Sequence, residues 1–151
     1  MLFNRFDIYY CWFNDYHALL PVIFAKLFKA KSIIVIGGYD ALTIRSIGYG
    51  IYSKRNIRSL IADINYRYAT NICPVHKSLI YSCNDYINEY NGFGEKKIKG
   101  QVNVIPCGYD VKFWRNVAIG EKDIDFLMVG LCADNIAYKR KGIDLFIKLA
   151  N

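Results

Sequence analysis

The segment Lys31-Ser32-Ile33-Ile34-Val35-Ile36, closed by Gly37-Gly38, constrains the fold of this chain more than any other stretch. A short run of branched apolar residues between turn signals suits a strand buried on both faces, and strands of that kind belong to parallel sheets covered by helices. The flanking sequence agrees. Residues 8–13 form a second β-branched and aromatic run ending at Asn14-Asp15, after which Leu20, Ile23, Phe24, Leu27 and Phe28 fall at helical spacing. Pro21 is tolerable in a helix that starts near His17, because the first N–H groups of a helix have no intrahelical partner.

Downstream, residues 56–70 place Ile57, Leu60, Ile61, Ile64 and Tyr68 on one helical face and residues 71–75 read as a strand. Ser78 has the chemistry of an N-cap for a helix reaching about residue 90, and residues 102–105 form the next apolar run. Strand and helix alternating in this way predict an α/β fold with a Rossmann-like parallel sheet. A polar connector after Arg115 suggests two domains, 1–115 and 116–151. In the second, residues 125–129 restart the pattern as a strand, a loop runs from Gly130 to Lys141, and a helix opens at Gly142-Ile143-Asp144. One strand and one helix cannot close a doubly wound domain, so this unit is expected to be incomplete.

With 54% hydrophobic and 16% aromatic residues in 151, the chain can build a packed core and is not a disordered protein. A net charge of +7 favours anionic partners. Cys11, Cys73, Cys83, Cys107 and Cys132 form no C-x-x-C pair, which argues against a zinc cluster or disulfide framework and for a reducing cytoplasm. Asp15 interrupts the apolar stretch that follows Ile8, so no spanning helix is expected, although peripheral attachment to the inner face of a membrane is. Residues 41–62 lack any acidic side chain and interleave Arg45, Lys54, Arg55 and Arg58 with Tyr49, Ile51 and Tyr52. That composition suits an anionic membrane surface or a lipid-diphosphate acceptor, the alternative being a simple solvated helix face. No nucleic-acid motif accompanies it, and no nucleic-acid partner is expected.

The segment most informative about chemistry runs from Val129-Gly130 to Arg140-Lys141-Gly142, where an apolar run feeds a loop and then basic residues at a helix start. Free N–H groups and cations at such a place suit a diphosphate, the alternative being a solvated basic loop. Together with the upstream sequence V-I-P-C-G-Y-D-V-K-F-W, this segment resembles the retaining glycosyltransferases of the GT-B fold. Pro106, Gly108, Asp110, Phe113, Val129, Gly130, Lys141 and Gly142 match that family's pattern in order and spacing, and A-T-N-I-C-P-V, ending at Val75, is similar to one of its inner strands.

The resemblance implies two Rossmann-like domains and transfer of a sugar, with retention, from a nucleotide-diphosphate donor to a glycan or lipid-linked acceptor hydroxyl. It implies no cofactor beyond the donor and no metal. It assigns the donor phosphates to Lys141 and Gly142, with Arg140 standing in for the family's arginine after Val-Gly, where this chain has Leu131. Gly37, Gly38, Asp40 and His17 become candidates for the acceptor cleft, and Gly108 and Asp110 for an interdomain turn. Tight turns account equally for the glycines, and surface capping for His17. Cys107 departs from the usual asparagine, and His76 stands near the family's serine. The family's glycine-rich loop would precede Met1 and its paired glutamates would follow Asn151, so this chain by itself is expected not to transfer sugar. A sugar-nucleotide epimerase of the same fold and a non-catalytic binding module are the alternatives.

Overall fold

Parallel strands cannot be joined by tight turns, so each apolar run must be followed by a crossover, and a helix is the usual one. The computed structural model describes residues 6–80, 98–115, 124 and 126–150 and divides the chain into two units, Met1–Pro106 and Cys107–Asn151. In the first unit β1 (Ile8–Trp12), α1 (Tyr16–Phe28), β2 (Lys31–Ile36), α2 (Ile57–Tyr68) and β3 (Asn71–Pro74) alternate as expected, with a 3-10 turn at Arg45–Ile47, and β4 (Gln101–Val102) is the last strand among the described residues of this unit. The strands form one sheet of order β1-β2-β3-β4, every neighbouring pair parallel.

Cys11 is in register with Ile34, and Ile34 with Ile72, so these three share a face. That face meets Ala18 and Val22 of α1 and Ala62 and Tyr66 of α2 in the hydrophobic core. The opposite face is more open. Ile33 and Val35 are half-buried, and Ile8, Tyr10 and Trp12 beside them are exposed. The burial of β2 on both faces that its composition predicts is therefore complete on one face only.

In both helices the apolar residues noted at helical spacing are only partly inward, with Ile23, Phe24 and Ile61 half-buried. α1 buries Ala18, Val22 and Ala25 and leaves Leu20 and Leu27 exposed; α2 buries Ser59, Ala62, Asn65 and Tyr66 while Ile57, Leu60, Ile64 and Tyr68 face outward. Small residues let the helices lie close to the sheet, and Asn65 Nδ2 reaches Asn14 Oδ1 at 2.8 Å in the interior. Tyr66, the largest of the inward side chains, places its hydroxyl on the Asp40 carbonyl at 2.9 Å. α1 begins at Tyr16, capped by Asp15, so Pro21 lies beyond the first turn and deprives the His17 carbonyl of its intrahelical donor. The αL residue Lys29 closes the other end.

Residues 78–80 are helical. Ser78 is thus inside the turn and not its N-cap; its N–H donates to His76 Nδ1 at 3.2 Å. The expected continuation to residue 90 lies outside the described residues. Regular strand β4 is shorter than the run 102–105 suggested, but the ladder persists through Asn103 N–H to Ile72 O and Ile105 N–H to Pro74 O. The first unit ends at Pro106, where that ladder stops, ahead of the boundary expected at residue 115.

In the second unit, α3 (Asn135–Arg140) is capped by Asp134 and followed by α4 (Ile143–Ala150). α3 occupies what was expected to be loop. Residues 126–129 are not a strand, and Asp125 lies outside the described residues. A lone strand is not stable without a ladder, and no second strand is present among the described residues of this unit. Nor does any described helix have the length and apolarity to cross a membrane.

Candidate functional site

In open parallel α/β sheets, ligand clefts form beyond the carboxyl ends of the strands, where backbone groups and loop side chains converge. The carboxyl ends of β1 and β2 carry such a cleft, of about 320 Å³. Phe13 leaves β1 with φ of 69°, unusual for a non-glycine residue, while its N–H still reaches Val35 O at 3.0 Å. Its ring lies directly over Gly37, and a Cβ at that position would collide with it. Gly38 follows with φ of 148°, a conformation that glycine adopts without a steric penalty.

Asp40 fastens these two loops together. One carboxylate oxygen accepts the N–H groups of Gly37 (3.2 Å) and Gly38 (2.9 Å), and the other accepts that of Asn14 (3.0 Å). The side chain is 2% exposed, and burial pushes its carboxyl above the ordinary range against the opposing pull of the N–H donors. Both oxygens are committed to backbone, which makes Asp40 a positioning residue for the glycine turn.

The polar wall is an ion pair across the two helices. Arg58, in the first turn of α2, donates Nε–H to Asp15 Oδ1 at 2.9 Å and Nη2–H to Asp15 Oδ2. Asp15 also caps α1 by accepting Tyr16 N–H at 2.8 Å, so one carboxylate serves a helix start and a bidentate guanidinium. The Arg58 hydrogen bonds hold the Asp15 carboxyl below its usual range, and Asp15 raises that of Arg58. Arg58 further lies 5.0 Å from the Tyr39 ring centroid, and Tyr39 meets Tyr49 edge to face at 5.3 Å. The excursion between β2 and α2 delivers Tyr49 by folding back, with Ile44 and Tyr49 exchanging both backbone hydrogen bonds.

Two carboxylates against one guanidinium leave this cleft without the cationic excess that a phosphate requires. Aromatic walls beside an Asp–Arg pair suit instead an uncharged ring bearing hydroxyl groups, which can hydrogen-bond at its edge and pack by its face.

Of the expected cleft residues, Gly37 and Asp40 line it, and Gly38 completes the turn that Asp40 holds. His17 does not line it; its Nε2–H donates to Trp12 O at 2.9 Å. In the second unit Lys141 is the C-cap of α3, Arg140 is the last residue of that helix, and Gly142 turns the chain with φ of 67° into α4. The Lys141 side chain lies along Gly130: Nζ is 3.2 Å from the position that a Cβ there would occupy. Asp110 forms a local turn, accepting Lys112 N–H at 2.8 Å, while the space around Gly108 is open.

The side chains of the basic segment 41–62 divide between core and surface. Ile51 and Tyr52 are core residues, 2% and 0% exposed, and Arg58 belongs to the Asp15 pair. Arg45, Lys54 and Arg55 of the same segment are exposed. Spacing could not reveal that Asp15 and Arg58 meet, or that Phe13 closes over Gly37. A signal did exist for Asp15, whose place before a helical run is that of a cap. Among the described residues no group of His, Cys, Asp and Glu side chains gathers to hold a metal.

Fold and cleft together define an α/β protein with a four-stranded parallel sheet, compatible with a Rossmann-like arrangement, and a cleft at the carboxyl edge. No family model matches the chain, and comparisons with curated proteins and with solved structures return no match.

Proposed function

We propose that this chain serves a glycosyltransferase of GT-B type, moving a sugar from a nucleotide-diphosphate donor to the hydroxyl of a glycan or lipid-linked acceptor with retention. The observation that carries the reading is the laying of Lys141 along Gly130, which brings together the two separated halves of the Val-Gly and Lys-Gly pattern. In this reading Lys141 neutralises charge that accumulates on the leaving diphosphate, a stabilisation that needs no protein nucleophile. The cleft walled by Phe13, Tyr39 and the Asp15–Arg58 pair receives the sugar-like acceptor, with the glycine turn letting backbone approach it.

Calorimetric titration of the chain with the diphosphates of uridine, guanosine and adenosine tests the proposal. At least one should bind, and Lys141→Ala should weaken it about tenfold to a hundredfold, since a charge-assisted hydrogen bond is worth roughly 1.5–3 kcal/mol. Arg140→Ala should weaken it as well if Arg140 replaces the family's missing arginine. Binding of none of the three, or equal binding by the Lys141 variant at unchanged thermal midpoint, overturns the phosphate assignment.

A further inference from the structure

At the opposite, amino edge of the sheet lies a second groove, of about 400 Å³. Lys26 and Arg67 reach it from the last turns of α1 and α2, Lys31 from the start of β2, and Lys99 from the approach to β4. Among the described residues that line it none is acidic.

Two of these cations have a structural account. The carbonyl ends of α1 and α2 carry partial negative charge, which Lys26 and Arg67 complement, and Lys26 Nζ also sits 3.5 Å from the Tyr68 ring centroid. Lys31 and Lys99 lie outside the helices and have no such role; both are exposed and bring two further positive charges to the groove.

The floor beneath them is fixed. Ser32 N–H donates to Thr70 Oγ1 at 2.8 Å, Thr70 N–H returns to Ser32 Oγ at 3.0 Å, and the Thr70 hydroxyl donates to Ser32 O at 2.8 Å. Asn71 Nδ2 adds a bond to Thr70 Oγ1 at 3.1 Å. Gly100 has to be glycine, since a Cβ would collide with the Ala69 carbonyl, and this tight passage brings Lys99 to the groove. A hydrogen-bonded polar floor lined by four cations suits a compact polyanion.

We propose that this amino-edge groove is a binding site for a multiply charged phosphate group, carried either by a free ligand or by an anionic lipid headgroup. It is separate in place and chemistry from the carboxyl-edge cleft.

Amide-resolved NMR titration with inorganic pyrophosphate, and co-sedimentation with phosphatidylglycerol vesicles against phosphatidylcholine vesicles, form the two arms of the test. The Gly100, Asn71 and Gln101 amides should shift with pyrophosphate if the ligand is free, or the chain should sediment with the anionic vesicles alone if it is a headgroup. In whichever arm responds, Lys31→Glu with Lys99→Glu should abolish the response, while Lys54→Glu with Arg55→Glu should preserve it. Lys31→Gln with Lys99→Gln, milder for the fold, should weaken it at least tenfold. No response in either arm, or a response unchanged in the Gln variant at native thermal midpoint, overturns the proposal.

Discussion

Gly37 shows how one atom decides the shape of the cleft. Because the Phe13 ring occupies the space a Cβ would need, Gly37→Ala should cost about 1–3 kcal/mol through displacement of that ring or of the turn. Gly108 is the control: nothing lies near its missing Cβ, so Gly108→Ala should stay within about 0.5 kcal/mol of the parent. Urea denaturation of both variants checks the pair, and equal midpoints would remove the close approach from the account. The sequence distinguishes neither glycine, since both follow apolar runs and both resemble turns. What separates them is a ring folded back from another strand end with φ of 69° at Phe13, a contact between loops that no local pattern encodes.

At the scale of elements, Asp15 ties α1 to α2, and its two duties can be separated. Asp15→Asn keeps a capping oxygen and loses the ion pair, which should cost below about 1 kcal/mol because Arg58 is 36% exposed and its charge is screened. Asp15→Ala loses the cap as well and should cost about 1–2 kcal/mol. The pH dependence has a definite sign. Asp15 titrates below the unfolded carboxylate value of about 3.9, so its contribution is complete above roughly pH 5 and is lost as pH falls through the lowered folded value. Thermal midpoints of parent and Asn variant should therefore converge on acidification; a gap that stays constant as pH falls would show that the pair is not its source. The existence and order of these elements were legible, because apolar runs and helical spacing report period directly. Their inward faces were not: α1 and α2 each carry large apolar residues on the side that faces outward, while Ser59 and Asn65, polar by type, pack inward.

Across the whole molecule the two units differ in how much backbone they bury. Ile34, Ile36 and Ile72 are fully buried in the central strands, whereas residues 107–115 are exposed throughout. Hydrogen exchange should accordingly be slowest at the amides of β2 and β3 and fast at the exposed residues 107–110, spanning most of the range from global unfolding to free opening. Uniform protection across both units would contradict the division at Pro106. The parallel α/β class could be read from the sequence because strand and helix alternate from β1 to β3. Residues 126–129 misled because a strand pattern implies a strand only where a ladder partner exists.

The proposal that Val129-Gly130 and Lys141-Gly142 form one phosphate site for a sugar donor can be tested by mapping amide shifts on the chain during titration with uridine, guanosine and adenosine diphosphates. At least one of them should move the amides of Gly130, Lys141 and Gly142 together, with a common midpoint, and Lys141→Ala should remove those shifts without altering the spectrum of β1–β3. If every diphosphate leaves the three amides in place, or moves only those of the amino-edge groove at Asn71 and Gly100, the glycosyltransferase reading is contradicted.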